Sequence, residues 1–206
     1  MGIYANHVLP RLTDVACGGR ALRPWRERAC TGLRGEVVEI GFGSGLNLPH
    51  YPDAVNTVHA VEPAGTAIGL ARDRIEAAGS RVRVERHELS AEAIPLTDES
   101  CDSALATFVL CTIPDVDLAL SEVRRVLKPG GRLHLLEHGH APDERVARWQ
   151  HRIEPIQRRV AGGCHLTRRP VELLEAAGFE LEWSESGYGP GPKPWTWFTV
   201  GVAIRS

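Results

Sequence analysis

The sequence predicts an α/β fold with a mostly parallel sheet, and three of its features support this prediction. Short apolar runs of strand character alternate with helical segments from residue 36 to residue 137, an order typical of parallel strands joined by right-handed crossovers. Residues 102–110 are almost continuously apolar, as in a strand that is buried on both faces. The last two strand-like runs are joined only by a loop at 187–194, which predicts a C-terminal antiparallel hairpin.

Length and composition indicate one globular domain. The chain has 206 residues, of which 43% are hydrophobic and 24% are charged, values typical of a soluble protein with a buried core. Its net charge of -2 argues against a dedicated nucleic-acid binder. No apolar run is long enough for a membrane span, and the N-terminus shows no signal-peptide pattern. Five cysteines without close pairing fit a reducing compartment, so we expect a cytoplasmic protein.

Residues 1–34 are predicted to form a helical cap before the first strand, and residues 35–206 are predicted to form the main domain. The apolar residues of the segment 4–16 recur roughly on one helical face, and a Cys-Gly-Gly sequence ends that segment. A second short helix is predicted over 25–31. Two interpretations of the cap stay open. It is either a helix packed on the domain edge or a lid over a ligand pocket, with Tyr4 facing the ligand.

The first predicted strand leads into a glycine-rich turn. The strand covers 37–40, contains Glu39, and is followed by three glycines at alternate positions within 41–45. In a dinucleotide-binding fingerprint, a third glycine stands where this chain has Leu46, and the strand end approaches a pyrophosphate. The Glu39 carboxylate would repel a pyrophosphate but would pair with an ammonium group. We therefore expect a ligand that is cationic at this end, and S-adenosylmethionine fits this requirement.

The second predicted strand supplies another carboxylate. It covers 57–61 and ends in Glu62, 21 residues beyond Gly41. This separation is close to the roughly 20 residues expected for an acid that accepts hydrogen bonds from both ribose hydroxyls. We therefore expect Glu62 to hold the ribose of the ligand.

The remaining elements follow from periodicity, capping residues and turn residues. Asp115 is a good N-cap for the clearest helix of the chain, and a Lys-Pro-Gly-Gly sequence at 128–131 closes that helix. A helical insertion is expected over about 140–167. The predicted helices cover 64–78, 115–127, 142–160 and 169–177, and the further strands cover 81–85, 102–110, 132–137, 179–183 and 195–204.

The stretch 36–47 and the run 118–137 resemble class I S-adenosylmethionine-dependent methyltransferases of the type-11, ubiquinone/menaquinone-biosynthesis kind. The resemblance implies a Rossmann-like fold with a seven-stranded sheet, S-adenosylmethionine as cofactor and S-adenosylhomocysteine as product. It also implies a set of cofactor-binding residues: Glu39, Gly41, Phe42, Gly43, Gly45, Asn47, Glu62, Pro63, Ser90, Ala91, Glu92 and Leu110. Ser90 stands where many members have an aspartate that accepts from the adenine amine, so backbone atoms near Ala91 or the Glu92 side chain would supply that contact.

Four later motifs resemble the methyltransferase-like family that methylates alkyl thiols in animals. These motifs are Leu110-Cys111-Thr112, Leu136-Glu137-His138, Trp149-Gln150 with Glu154-Pro155, and the run 163–168. The resemblance implies methylation of a small molecule, in the first place a thiol, with a quinone-like or lipid acceptor as the alternative. The sequence shows no counterpart of that family's N-terminal membrane anchor, so no membrane span is expected. A nicotinamide-dependent oxidoreductase is the alternative from another class, and Leu46 and Glu39 count against it.

The candidate catalytic residue is His138, which follows the fifth strand and is either a base or an ordinary hydrogen-bonded histidine. The predicted acceptor pocket comprises Tyr4, Cys111, Cys164 and His165. Cys164 and His165 could instead form a helix-entry turn with Thr167 as N-cap. The spacing of these cysteines and histidines matches no usual zinc pattern, so no metal is expected. The segment 111–115 lacks the Asn/Asp-Pro-Pro-aromatic motif of many amide and base-amine methyltransferases, which argues against those acceptors.

Arginines make the predicted insertion helix basic, at positions Arg145, Arg148, Arg152, Arg158 and Arg159. A solvated face is one interpretation of this pattern, and contact with a membrane surface or an acidic substrate is the other. The expected partner is a small-molecule methyl acceptor and no nucleic acid is expected, while peripheral contact with a membrane surface stays open as the second interpretation.

Overall fold

A computed structural model describes residues 8–206, and its centre is a seven-stranded sheet in the order β3-β2-β1-β4-β5-β7-β6. Strands β1 to β5 are parallel, whereas β7 runs antiparallel to both of its neighbours. The predicted mostly parallel sheet with a C-terminal antiparallel hairpin is thus confirmed. The strands are β1 Gly35–Ile40, β2 Val55–Val61, β3 Arg83–His87, β4 Cys101–Thr107, β5 Leu127–His138, β6 Phe179–Tyr188 and β7 Trp197–Arg205.

Helices cover both faces of the sheet, so that the apolar side chains of the central strands β1, β2 and β4 are buried in two directions. On one face, Val38 packs in a cluster with Leu120 and Leu174. On the other face, Val37 packs with Ala29 and Ala71. The helices are α1 Leu9–Cys17, α2 Arg23–Cys30, α3 Gly65–Ala78, α4 Val116–Val126, α5 Glu144–Val160 and α6 Pro170–Ala176, and short 3-10 turns lie at Arg20–Leu22, Leu48–His50, Gly79–Arg81 and Lys193–Trp195.

The N-cap residue predicted for α4 is confirmed, whereas the one suggested for α6 is not. The Asp115 side chain accepts a 3.0 Å hydrogen bond from the backbone N–H of Leu118, as expected of an N-cap aspartate. One of the two interpretations of Cys164 and His165 made Thr167 the N-cap of the following helix, but α6 begins at Pro170 with Arg169 at the N-cap position. That interpretation is wrong, and the backbone N–H of Thr167 donates to the Glu154 carboxylate at 2.9 Å.

Three strand boundaries differ from the prediction for identifiable reasons. Strand β3 starts at Arg83 rather than at residue 81 because Gly79–Arg81 forms a 3-10 turn. Strand β4 ends at Thr107 because Phe108 has a φ of 53°, a left-handed conformation that no strand residue adopts. Strand β5 starts at Leu127, five residues early, because the Lys-Pro-Gly-Gly sequence forms an irregularity within the β4–β5 pairing.

Residues 8–206 contain no helix that is long and apolar enough to cross a membrane. Tyr4 lies outside the described residues, and so does the first part of the predicted cap.

Candidate active site

A cavity lies at the carboxyl ends of β1, β2 and β4, where the order of the sheet reverses between β1 and β4. Ligands of open α/β sheets bind at such a switch point. Residues from the turn after β1, from the start of the segment after β2 and from the loop after β4 form its floor. Helix α1, Arg26 of α2, and Ala161 and Gly162 after α5 complete the wall. Five of the twelve positions that the sequence marked as cofactor contacts line this cavity.

The glycine turn needs its glycines for steric reasons. Gly41 has a φ of 66°, and a Cβ atom there would lie 2.3 Å from the side chain of Val109. Gly43 has a φ of 56°, and the nearest atom to a Cβ there is the Gly41 carbonyl oxygen at 3.8 Å. Only glycine adopts these conformations at low cost. The turn therefore lets β1 approach β4 closely and leaves open space beside Gly43.

Glu62 lines the cavity and is fixed by the backbone on both sides. One carboxylate oxygen accepts a 3.0 Å hydrogen bond from the N–H of Gly43, and the other accepts a 2.9 Å bond from the N–H of Ala64. Burial raises the pKa of Glu62, and these two backbone bonds act in the opposite direction. Because each carboxylate oxygen can accept a second hydrogen bond, the held carboxylate remains available to a pair of hydroxyl groups.

Glu39 is completely buried and lies behind the cavity wall. Its oxygens accept hydrogen bonds from the Asn47 side-chain amide, at 2.6 Å, and from the Tyr51 hydroxyl. Burial raises the pKa of Glu39 to about 7, against the effect of these two bonds and of Arg26. Asn47 lines the cavity, whereas Glu39 does not. The negative charge of Glu39 is therefore presented to the cavity through Asn47.

Arg26 is the residue of this site that sequence analysis missed. Its side chain is only 5% exposed and lines the cavity. The guanidinium donates to the Asn47 side-chain oxygen at 2.6 Å and to the Cys17 carbonyl at 3.0 Å. Its Nε has no hydrogen-bond partner among residues 8–206. In the sequence, nothing distinguishes Arg26 from the arginines at 23 and 28 of the same helix, because only tertiary packing selects it.

Helix α1 forms the rim of the cavity and has no buried residue. Its Asp14 accepts hydrogen bonds from the Ser44 hydroxyl at 2.5 Å and pairs with Arg74 at 2.9 Å. Burial opposes the ionisation of Asp14, but these two partners lower its pKa. One ion-paired cluster thus attaches α1 to the glycine turn.

The predicted cofactor-binding residues divide into two groups. Those that line the cavity are Gly41, Phe42, Gly43, Asn47 and Glu62, and those that do not are Glu39, Gly45, Pro63, Ser90, Ala91, Glu92 and Leu110. Within the second group, Glu92 is used structurally, since it accepts hydrogen bonds from the Ser90 hydroxyl and from the backbone N–H of Asp115. Leu110 is 1% exposed and belongs to the apolar core.

Of the residues predicted for catalysis and for the acceptor pocket, Cys111, His138 and Cys164 form a cluster that does not line the cavity. The Nε2 atom of His138 lies 3.2 Å from the Sγ atom of Cys164, and the Cys111 sulfur lies within 4.8 Å of both. A hydrogen bond from Cys111 and the nearby His138 lower the pKa of Cys164 well below its usual range, against the effect of burial. His165 points elsewhere, since its Nδ1 lies 3.2 Å from the Glu154 carboxylate.

Glu137 holds the loop after β4 in an unusual conformation. One of its oxygens accepts hydrogen bonds from the N–H groups of Val109 and Leu110, at 2.7 and 2.8 Å. These bonds follow directly after Phe108, whose left-handed backbone is costly for a large side chain. Burial raises the pKa of Glu137 to about 7. The carboxylate therefore positions the two cavity-lining residues Phe108 and Val109.

Comparison with known proteins identifies the family. Residues 38–135 match the methyltransferase-domain family Methyltransf_11. The chain is 32% identical over 181 residues to thiol S-methyltransferase TMT1B of Rattus norvegicus, and the match covers 82% of this chain and 68% of that protein. The chain belongs to the class I S-adenosylmethionine-dependent methyltransferases. Its cofactor is S-adenosylmethionine, as the acid and the glycine turn predicted, and the nicotinamide alternative is set aside.

Other relatives of this methyltransferase differ in the acceptor that their names state. Human thiol S-methyltransferase TMT1B is 33% identical over 182 residues, covering 86% of this chain and 72% of that protein. The ubiquinone/menaquinone biosynthesis C-methyltransferase UbiE of Brucella anthropi is 33% identical over 134 residues, covering 56% of this chain and 51% of that protein.

Two solved structures share the fold of this methyltransferase. One is a Thermotoga maritima methyltransferase described as a possible histamine N-methyltransferase, with a TM-score of 0.68, 22% identity, and coverage of 98% of this chain and 99% of that chain. The other is Burkholderia thailandensis 1,6-didemethyltoxoflavin-N1-methyltransferase with bound acceptor and S-adenosylhomocysteine, with a TM-score of 0.69, 20% identity, and coverage of 96% and 84%. At such identities the likeness concerns the fold alone.

Proposed function

We propose that this methyltransferase transfers a methyl group to the sulfur of a small-molecule thiol. The observation that supports this acceptor most strongly is the absence of an available base in the described part of the cavity wall. The wall contains no histidine or lysine, and its carboxylates, Asp14 and Glu62, are both held by hydrogen bonds. A thiol with a pKa near 8.5 ionises without a dedicated base, whereas an amine, phenol or carbon acceptor needs one.

The cavity fits the cofactor at both of its polar ends. Glu62 would accept hydrogen bonds from the ribose hydroxyls, and the open space beside Gly43 admits the ligand next to the turn. At the other end, Arg26 has an unpartnered buried Nε, and Asn47 connects Arg26 to Glu39. The Arg26 cation would pair with the carboxylate of the cofactor's amino-acid part, and the Glu39 anion, reached through the Asn47 amide, would attract its ammonium group. S-adenosylmethionine supplies an electrophilic methyl group on a sulfonium.

The acceptor would enter under the cover formed by α1 and by the residues after α5. Cys17, Val109, Thr112 and Gly162 make this part of the wall mainly apolar or weakly polar. A closed apolar wall excludes water, which competes with the acceptor for the methyl group, and it aligns the two sulfur atoms. We assign the cover to two segments, the cap formed within residues 1–34 and the insertion at about 140–167.

In this proposal His138 positions the acceptor wall and does not deprotonate the acceptor. Its Nε2 is bound to the Cys164 sulfur, and its Nδ1 is buried without a partner among the described residues. The cluster is connected to the cavity along the backbone, because Cys111 is followed by Thr112, which lines the cavity wall. Cys111 and Cys164 would thus set the shape of the acceptor end rather than touch the reacting atoms.

A quinone-like acceptor is the second candidate, and the apolar surface around the entrance favours it. Helix α1 exposes Leu12 and Val15, and α5 exposes Trp149 and Ile156. We propose that these residues, with the arginines of α5, contact an anionic membrane surface peripherally. Such a contact would deliver a lipophilic acceptor, thiol or quinol, to the cavity.

We also propose a reducing, cytoplasmic location. All five cysteines are free thiols. Two of them, Cys111 and Cys164, have their sulfur atoms within 4.8 Å of each other and are not bonded. Close unbonded cysteines are typical of compartments where glutathione keeps thiols reduced.

The acceptor class is tested by measuring S-adenosylhomocysteine formation with 2-mercaptoethanol, with thiophenol and with a demethylated benzoquinol. We expect turnover with the thiols and a rate at fixed pH that increases with the thiolate fraction, because no protein base is required. The Glu62→Ala variant, which should bind the cofactor more weakly, is the control for contaminating activity, since contaminating turnover would not depend on this substitution. Turnover with the quinol alone would overturn the thiol assignment and leave the methyltransferase itself intact.

A further inference from the structure

Two histidines and two glutamates, whose side chains can bind or orient a metal ion, lie together on one face of the β1–β2–β3 edge of the sheet. His59 of β2 is paired with Val38 of β1 and with Glu85 of β3, and His87 lies two residues beyond Glu85 on the same strand. Side chains at alternate positions of a strand share a face. Glu36, His59, Glu85 and His87 therefore project from the same side of three neighbouring strands.

Two of the distances within this group match those between ligand atoms of a single metal ion. The Nδ1 atom of His59 lies 3.4 Å from the Nε2 atom of His87 and 3.5 Å from the Oε2 atom of Glu85. The three ligand atoms all lie within 4.8 Å of one another. Zinc–nitrogen and zinc–oxygen bonds of about 2.0–2.2 Å in a tetrahedron separate the ligand atoms by roughly 3.3–3.6 Å. Little movement is needed for three of these atoms to share one ion.

Glu36 contacts the ring nitrogen of His59 that faces away from the other two candidate ligands. Its carboxylate lies 3.1 Å from the Nε2 atom of His59, so a proton on Nε2 is held there and the Nδ1 lone pair faces the other two ligands. A carboxylate that fixes the second ring nitrogen in this way is the usual partner of a metal-bound histidine. The other oxygen of Glu85 is paired with Arg83 at 2.8 Å, which leaves Oε2 for the cluster.

We propose that His59, Glu85 and His87 bind a zinc-like divalent transition metal, with Glu36 as the residue that orients His59. The side chain of His59 is 13% exposed and that of Glu85 is 35% exposed, so an ion can enter and keep a water molecule as fourth ligand. The site lies outside the methyl-transfer cavity and would join the edge strand β3 to β2. The backbone N–H of Glu62 donates to the His87 carbonyl at 3.0 Å, so the same strand end also supports the cofactor carboxylate.

Calorimetric titration of the full chain with Zn²⁺, together with absorption spectra in Co²⁺, tests the proposal. We expect one equivalent to bind the wild-type protein, and His59→Ala and His87→Ala to lose it. The Glu36→Gln variant should keep the stoichiometry but bind about 10- to 100-fold more weakly. The exposed His151 supplies a matched control, since His151→Ala should leave binding unchanged. Retained binding of S-adenosylhomocysteine shows that each variant is folded.

A second cluster, Cys111, His138 and Cys164, also has metal-ligand geometry, and the spectra separate the two sites. A site of nitrogen and oxygen ligands gives Co²⁺ d–d bands without a thiolate-to-cobalt charge-transfer band. The Cys111→Ser/Cys164→Ser variant should therefore bind as the wild type does. Undiminished binding by both histidine variants, or a charge-transfer band that disappears in the double serine variant, would overturn the proposal.

Discussion

Arg26 and Glu39 lie at opposite ends of one side-chain amide. The Arg26 guanidinium donates to the Asn47 oxygen at 2.6 Å, and the Asn47 nitrogen donates to Glu39 at 2.6 Å. The two residues come from different elements, α2 and β1. Because hydrogen bonds to charged groups are strong in a buried environment, the chain of contacts fixes one positive and one negative charge beside the cavity.

Replacing Arg26 tests the cationic end of this pair. We predict that Arg26→Gln lowers the affinity for S-adenosylhomocysteine by about 10- to 150-fold, the usual range for losing hydrogen bonds to a charged group. The affinity for 5′-methylthioadenosine, which lacks the amino-acid carboxylate, should change far less. Arg28→Gln on the same helix is the control, because Arg28 is half exposed and pairs with Glu185 at the surface. Equal losses for both ligands would remove the carboxylate contact.

Glu39 should make cofactor binding depend on pH. Its pKa is raised by burial to about 7, and only the ionised form attracts an ammonium group. The ratio of S-adenosylmethionine affinity to adenosine affinity should therefore rise by up to about tenfold per pH unit below pH 7 and level off above it. In Glu39→Gln this ratio should be lower and independent of pH. A ratio that is flat in the wild-type enzyme would contradict the assignment.

Glu62 is predicted to bind the ribose. We expect Glu62→Ala to weaken the binding of the cofactor by about 1–3 kcal/mol, measured by calorimetry. The 2′-deoxy analogue of adenosine should bind more weakly than adenosine to the wild-type enzyme. The two nucleosides should bind equally well to the variant, because the hydrogen bond between the 2′-hydroxyl and Glu62 is already lost there. Glu76→Ala, on the exposed side of α3, is the matched control. An unchanged dissociation constant in Glu62→Ala would refute this role.

Glu137 should contribute to a pH dependence of stability. Burial raises its pKa to about 7 from its ordinary value of 4.5, so the folded state binds more protons than the unfolded state between these values. The free energy of unfolding should therefore fall as pH rises from about 4.5 to 7, by at most about 1.4 kcal/mol per pH unit for this group. Glu39 adds a similar contribution.

Denaturant unfolding at several pH values separates these contributions. Glu137→Gln keeps an oxygen for the N–H groups of Val109 and Leu110 but cannot ionise, so the pH slope should be reduced. Glu137→Ala should be destabilised at every pH by about 1–3 kcal/mol for each backbone donor left unpaired. Slopes that coincide for the wild-type enzyme and Glu137→Gln would show that Glu137 does not titrate in this range.

The proposed membrane contact depends on the exposed faces of α1 and α5. We predict that the enzyme sediments with vesicles containing anionic lipid and less with neutral vesicles. Trp149→Ala and Arg152→Ala should each reduce binding, since Arg152 also lies over the Trp149 ring at 5.8 Å. Arg132→Ala, on β5 and paired with Glu182, should not. Sedimentation that is independent of lipid charge and of these substitutions would contradict the contact.

Local patterns in the sequence were sufficient to predict the sheet, the glycine turn and the position of Glu62. Each depends on spacing within one or two neighbouring elements, such as the 21 residues from Gly41 to Glu62. The contact of Arg26 with Asn47 could not be predicted, because residues 21 positions apart on a helix and a loop meet only after folding. For the same reason the sequence did not indicate that His59 meets His87.

Boundaries were predicted less well than the elements themselves. Strand β4 was expected to reach Leu110 but ends at Thr107, since Glu137 holds the next residues in a non-strand conformation. This deviation is a tertiary effect of a carboxylate 27 residues further along the chain from Leu110. The same non-strand conformation places Phe108 and Val109 in the cavity wall. Prediction from local sequence patterns therefore failed at the site itself.

The most direct measurement is the fate of a labelled methyl group. The enzyme would be incubated with S-adenosylmethionine carrying a deuterated methyl group and with 2-mercaptoethanol, and both products would be quantified by mass spectrometry. We predict equal amounts of S-adenosylhomocysteine and of the deuteromethyl thioether, both formed more slowly by Glu62→Ala at the same subsaturating cofactor concentration. S-adenosylhomocysteine formed without the thioether, or at a rate independent of the thiol, would contradict thiol methylation.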